Sequence, residues 1–217
     1  MPSRRTWLAT AAAALLAGQA AWAAPAPRPD DMSMGAPNAK VQVIEYASVA
    51  CPHCAHFNEA VFADFKKRWV DTGKVRFTLK EMLVASPTVA AAGFMMARCA
   101  GPSKYFKVVD EIYRSQPRWE EGRIKPILLE IATANGLSEA QFEACLSDQA
   151  VLAAINERMR RALEDDGVDS TPTIFINGVK ADPTPMTPAA MDAAIEAAMK
   201  AAGAPADKTP TAKKGAR

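Results

Sequence analysis

Thirteen residues, Glu45 to Phe57 (EYASVACPHCAHF), hold two cysteines two residues apart, two histidines and a glutamate. Such a set can bind zinc through thiolates and imidazoles, staple a loop, or exchange electrons with other thiols. The three chemistries ask different things of their surroundings. A structural zinc site normally recruits a second ligand pair from a distant segment, whereas the remaining cysteines, Cys99 and Cys145, are single and far apart. His53 also points away from Cys54 within one helical turn. A bridge across so short a loop removes little chain entropy. The local sequence favours thiol exchange and assigns no metal.

Cys51 follows a predicted strand and begins a predicted helix, where unpaired backbone N–H groups and the helix dipole stabilise a thiolate. Pro52 suits the first turn because its missing N–H would be unpaired anyway. His53 is expected to place a donor beside the sulfur. Settings of this kind lower a cysteine pKa by roughly one to five units. A stable thiolate makes Cys51 a good leaving group and its disulfide a good oxidant. Cys54 shares a helix face with Phe57 and Val61, so it is expected to be buried and Cys51 exposed. Glu45 is either a carboxyl that exchanges protons with Cys54 or a solvent-facing strand residue. His56 reads as a solvated helix residue.

Around the cysteines, KVQVIEY (Lys40 to Tyr46) alternates with β-branched residues and predicts a strand. Cys51, Cys54, Phe57, Val61 and Phe65 recur at helical spacing until Asp71-Thr72-Gly73 ends the run. KVRFTLKEM (Lys74 to Met82) predicts a second strand. From Ser86-Pro87, a cap and first-turn proline, about eighty residues carry some five amphipathic segments. In the clearest, Val151, Leu152, Ile155, Met159 and Leu163 take one side, and Arg158, Arg160 and Arg161 the other. Ser138 with Gln141 forms a capping box. Thr173 to Ile176 predicts a strand, Asn177-Gly178 a hairpin turn, and Val179 to Ala181 a short return. Thr187-Pro188 caps a last helix.

The expected organisation is a signal peptide over 1–23, a flexible lead-in over 24–38, an α/β unit split between 39–85 and 168–202, a helical insertion over 86–167, and a disordered tail over 203–217. The signal reading rests on Arg4 and Arg5, the apolar Leu8 to Gly18 stretch, and the Ala21-Trp22-Ala23 cleavage pattern. Ser3-Arg4-Arg5 followed by Trp7-Leu8 leaves the twin-arginine and general secretory routes both open. Loss of Arg4 and Arg5 takes the 26 basic residues to 24, level with the 24 acidic ones. Nucleic-acid binding is unsupported by such a balance.

CPHC at a strand-to-helix junction, a helical insertion, and Ser170-Thr171-Pro172-Thr173 before a late strand resemble the DsbA family of thioredoxin-fold thiol:disulfide oxidoreductases. The resemblance covers about 37–202. It implies an α/β thioredoxin-like fold with an inserted all-helical domain, and makes Thr171-Pro172 a cis-proline loop that faces the sulfurs and binds substrate backbone. Sequence alone says that X-Pro bonds are the ones able to be cis, and a trans proline opening the strand is the other reading. With Cys51 and Cys54 used together, Cys99 and Cys145 are left either as a structural disulfide or as two buried thiols. Phe94, Met95 and Met96, with Met82 and Leu83, are either core or a soft apolar surface.

The expected function is a periplasmic dithiol oxidase, acting as a monomer without a cofactor on reduced exported proteins or peptides. By resemblance, a membrane DsbB-type quinone-linked oxidase reoxidises it. A reductase or isomerase of the same fold is one alternative, and a metal-binding module using the same cysteines is another.

Overall fold

A computed structural model describes residues 25–119, 123–181 and 187–203. The expected signal peptide lies outside them, as does the expected tail apart from Gly203.

The sheet has five strands in the order β1-β3-β2-β4-β5: β1 Met32–Met34, β2 Val41–Ala47, β3 Val75–Glu81, β4 Thr173–Ile176 and β5 Val179–Lys180. β2 runs parallel to β3, and the other pairings are antiparallel. A parallel pair needs a crossover, supplied by a helical run from the dicysteine. That run comprises α1 Pro52–Phe57, a π-helical stretch Asn58–Phe62, α2 Ala63–Phe65 and a second π-helical stretch Lys66–Val70. The sequence predicts one continuous helix here; the π turns interrupt its register while Cys54, Phe57, Val61 and Phe65 all stay buried.

Both faces of the central strands are covered, so β2 and β3 are buried at nearly every position rather than at alternate ones. Val41, Val43 and Ala47 join the larger core with Cys54, Phe57 and Phe65. Ile44 and Tyr46 face the other way, onto Met82, Val168 and Phe175. β4 and β5 close a hairpin through Asn177 and Gly178, at φ 48° and 79°. Both values suit an Asn-Gly turn of the primed type.

Between β3 and β4 lie α3 Pro87–Cys99, α4 Tyr105–Ser115, a 3-10 turn Gln116–Arg118, α5 Ile124–Ala134, α6 Glu139–Leu146 and α7 Gln149–Glu164. Ser138 and Gln141 form the reciprocal capping box on α6. The chain closes with α8 Pro188–Gly203, capped by Thr187 Oγ1 accepting from Ala190 N at 3.1 Å. The insertion shares its core with the sheet: Phe94, Met96, Ile112 and Phe142 join the same cluster as Val43 and Phe77. Met82, Leu83, Phe94, Met95 and Met96 are all buried, which makes them core rather than a peptide-binding surface. Cys99 and Cys145 form a disulfide that ties α3 to α6 across 46 residues, with Cα atoms 6.3 Å apart.

Two expectations are corrected. The lead-in is not free: β1 within it pairs with β3, Ser33 Oγ meets Thr78 Oγ1 at 2.8 Å, and Arg28 pairs with Asp166 at 2.9 Å. Met-Ser-Met has weak strand propensity, and tertiary contacts supply what it lacks. In α7, Arg158 faces inward and Leu163 outward. The buried face runs through Ile155, Arg158 and Ala162 because Glu81, at the end of β3, accepts from Arg158 Nε at 2.7 Å. Arg98 Nε, also at 2.7 Å, and the Tyr105 hydroxyl, at 2.9 Å, complete the set around that carboxylate. A buried charge is tolerated only when paired in this way.

Candidate active site

β2 ends at Ala47, and a short turn delivers Cys51 to the head of α1. Ser48 builds that turn: its Oγ donates to the Val84 carbonyl at 2.9 Å and accepts from Ala50 N at 3.2 Å, while its carbonyl accepts from Cys51 N at 3.0 Å. Cys51 has the extended backbone of an N-cap, with φ −86° and ψ 122°, and Pro52 opens the helix. The Cys51 carbonyl accepts the first helical bond from Ala55 N at 3.1 Å. The sulfur therefore sits where helix N–H groups have no intrahelical acceptor.

Cys51 and Cys54 are unbonded thiols in this structure. Cys54 is fully buried and Cys51 is 5% exposed, so Cys51 is the accessible member, but far less open than its predicted place at a helix end suggests. The cause is the loop before β4. Its Thr171-Pro172 bond is cis, and the Thr171 carbonyl oxygen lies 3.7 Å from Cys51 Sγ. β4 is held there by antiparallel pairing with β2, Tyr46 opposite Thr173 and Glu45 opposite Ile174.

The two thiols have opposite acidities. Hydrogen bonding from the Cys54 thiol lowers Cys51 to about 5, aided by Thr171 and the backbone N–H groups of Cys54 and His53 against the opposing effect of burial. Burial raises Cys54 far above the ordinary thiol range, and the hydrogen bond to Cys51 and the charge of Glu45 add to it. His53 contributes its backbone N–H to the Cys51 sulfur, and its side chain is exposed.

Glu45 is 3% exposed. It occupies the face of β2 that Val43 and Ala47 turn toward Cys54 and the helical run. Burial, then the Cys51 charge, raises its carboxyl to about 8, so it is protonated at neutral pH. Its Oε1 has no hydrogen-bond partner among the described residues, and neither does the buried Tyr113 hydroxyl. Tyr113 is itself raised well above the usual phenol range by burial and by Cys54 and Glu45. The solvent-facing reading of Glu45 is set aside. His56 is exposed, and it lines a cleft of about 600 Å³ with Pro52, Asn58, Tyr113 and Gln116.

Sequence reasoning misses Tyr113 and Gln116. Both lie at the end of α4, more than sixty residues from Cys51, and no motif marks either. The Gln116 side-chain amide donates to the carbonyls of Val49 at 2.8 Å and Cys51 at 3.3 Å. Among the described residues, no group of three or more His, Cys, Asp or Glu side chains is arranged to hold a metal ion.

A family model described as thioredoxin matches residues 28–197. Among solved structures, alpha-DsbA1 of Wolbachia pipientis superposes with a TM-score of 0.75 at 25% identity, covering 81% of this chain and 94% of that one. BdbD of Bacillus subtilis in its oxidised form gives 0.67 at 20% identity, covering 78% and 93%, and shares the fold. In sequence, a Rickettsia bellii protein named as a protein-disulfide oxidoreductase is 28% identical over 171 residues, 77% of this chain and 65% of that protein. Disulfide bond formation protein D of Bacillus subtilis is 23% identical over 147 residues, 66% of each chain. The chain spans 54% to 65% of the first two Rickettsia relatives it matches.

Proposed function

Because the chain belongs to the thioredoxin family and has the DsbA-like form of the fold, with helices inserted between β3 and β4, we propose that it is a thiol:disulfide oxidoreductase that donates a Cys51–Cys54 disulfide to exported proteins. One observation carries this reading: Cys51 caps α1 with the Thr171 carbonyl 3.7 Å from its sulfur while Cys54 behind it is fully buried, an arrangement that lowers Cys51 to about 5 and pushes Cys54 up. A thiolate that stable favours the reduced protein and makes the oxidised pair a strong oxidant.

The reaction starts from the disulfide. A substrate thiolate attacks Cys51 Sγ, the Cys51–Cys54 bond breaks, and Cys54 leaves with the electron pair. The neutral Glu45 carboxyl supplies the proton that Cys54 takes up, and regains one from solvent. A second substrate thiolate then attacks the substrate sulfur of the mixed disulfide, and Cys51 departs as a thiolate. Two electrons have moved to the protein and one disulfide to the substrate. Thr171 and Pro172, the cis pair beside Cys51, bind substrate backbone in this reading. The Cys99–Cys145 bond is structural.

Export on the Arg4-Arg5 leader into an oxidising compartment, action as a monomer without a cofactor, and reoxidation by a DsbB-type quinone-linked membrane oxidase belong to the same proposal. The test is oxidation of a reduced dithiol peptide by stoichiometric oxidised protein. Rapid oxidation, abolished in Cys51→Ser, is expected. One equivalent of bound zinc or copper with no oxidation would overturn the reading, and a reduction potential as low as that of thioredoxin, about −270 mV, would make the protein a reductase.

A further inference from the structure

The turn that presents Cys51 is held from two sides. Ser48 anchors it to the loop after β3 through the Val84 carbonyl. From the helical insertion, Gln116 anchors it with one side-chain nitrogen shared between the carbonyls of Val49 and Cys51. A primary amide nitrogen carries two hydrogens, so both bonds are made at once, one on each side of Ala50. Gln116 is half-buried at the cleft beside Pro52, and nothing about its own 3-10 turn requires it to reach back to this loop.

We infer that Gln116 is a positioning residue for the Cys51 thiolate: its amide fixes the Val49–Cys51 backbone so that the sulfur stays against the N–H groups of His53 and Cys54. The two N–H donors also offset the partial negative charge of two carbonyl oxygens in the turn that carries Cys51. Loss of the amide loosens the N-cap, takes this donor from the Val49 carbonyl, and leaves the Cys51 carbonyl with its helical bond from Ala55 N alone. Both effects disfavour the thiolate, so they act in the same direction. The insertion thereby sets the acidity of a cysteine it does not carry.

The consequence for oxidation rests on the function proposed above, but the measurement does not. Gln116→Met keeps most of the side-chain volume, removes both donors and adds no charge. Gln116→Ala removes the side chain at the edge of an open cleft, which guards against misfolding from overpacking. In the reduced full chain, thiolate absorbance is titrated against pH, the Cys51/Cys54 pair is equilibrated with glutathione, and thermal melts establish that each variant is folded. Both variants are expected to raise the Cys51 midpoint by about half a unit to one unit, and to make the disulfide about threefold to tenfold less oxidising against glutathione. A tenfold change is about 30 mV for two electrons. A folded Met variant with the parent midpoint and glutathione equilibrium would overturn the inference. If the parent protein instead fails to oxidise a dithiol peptide, the functional proposal falls and the titration still decides the role of Gln116.

Discussion

Cys51 and Cys54 share one turn of helix and hold protons with opposite tenacity. The acidity of Cys51 follows from hydrogen bonds that its anion accepts, and the retention of the Cys54 proton follows from burial. A thiol whose pKa falls on folding stabilises the reduced folded state. That stabilisation is complete above the unfolded thiol value of 9.0 and is lost as pH falls through about 5. The reduction potential should respond accordingly. Between about pH 5 and neutrality, reduction takes up two electrons and one proton, giving a slope of about 30 mV per pH unit; below that range it takes up two protons and the slope becomes about 59 mV. Potentials measured across pH 4 to 8 check this, and a single slope of about 59 mV through neutrality would show Cys51 to be an ordinary thiol. The cysteine pair was legible from CPHC because an N-cap position after a strand carries its own electrostatics, whereas Tyr113 and Gln116, at the end of a remote helix, were not. The backbone N–H of His53 was not legible either, since sequence patterns mark side chains rather than backbone donors.

At the level of elements, the strands with β-branched residues were readable within a residue or so: Lys40 to Tyr46 became Val41–Ala47, and Lys74 to Met82 became Val75–Glu81. β1 was not readable, because its pairing comes from contacts remote in sequence, including the ionic tie of Arg28 to Asp166. The turn after β1 explains how the strand leaves the sheet. Gly35 has φ +88°, and a Cβ there would run into the Val75 carbonyl. Gly35→Ala is therefore expected to cost roughly 1 to 3 kcal/mol, combining left-handed strain with a backbone clash. Urea unfolding measures it, and an unchanged midpoint would mean that β1 adds nothing to stability. α7 shows the same limit from the other side: Arg158 reads as solvent-facing until Glu81, 77 residues earlier, is seen to need a partner.

For the whole molecule, the insertion and the sheet form one body because they share one core. The disulfide from Cys99 to Cys145 closes a loop within the helical part, 46 residues long. Replacing both cysteines by alanine should lower stability by about 2 to 4 kcal/mol on chain-entropy grounds while leaving the Cys51 titration in place. Chemical unfolding and thiolate absorbance of the same variant test the two halves of that statement. β4 pairs with β2 across an interval of about 130 residues, and such remote pairing forms late in folding. A chain made from its N-terminus holds Cys51 and Cys54 long before the loop and strand that cover Cys51 exist. Until β4 is made and paired, the chain therefore lacks the cover over Cys51, and Cys99, made before Cys145, has Cys51 and Cys54 as its earlier neighbours.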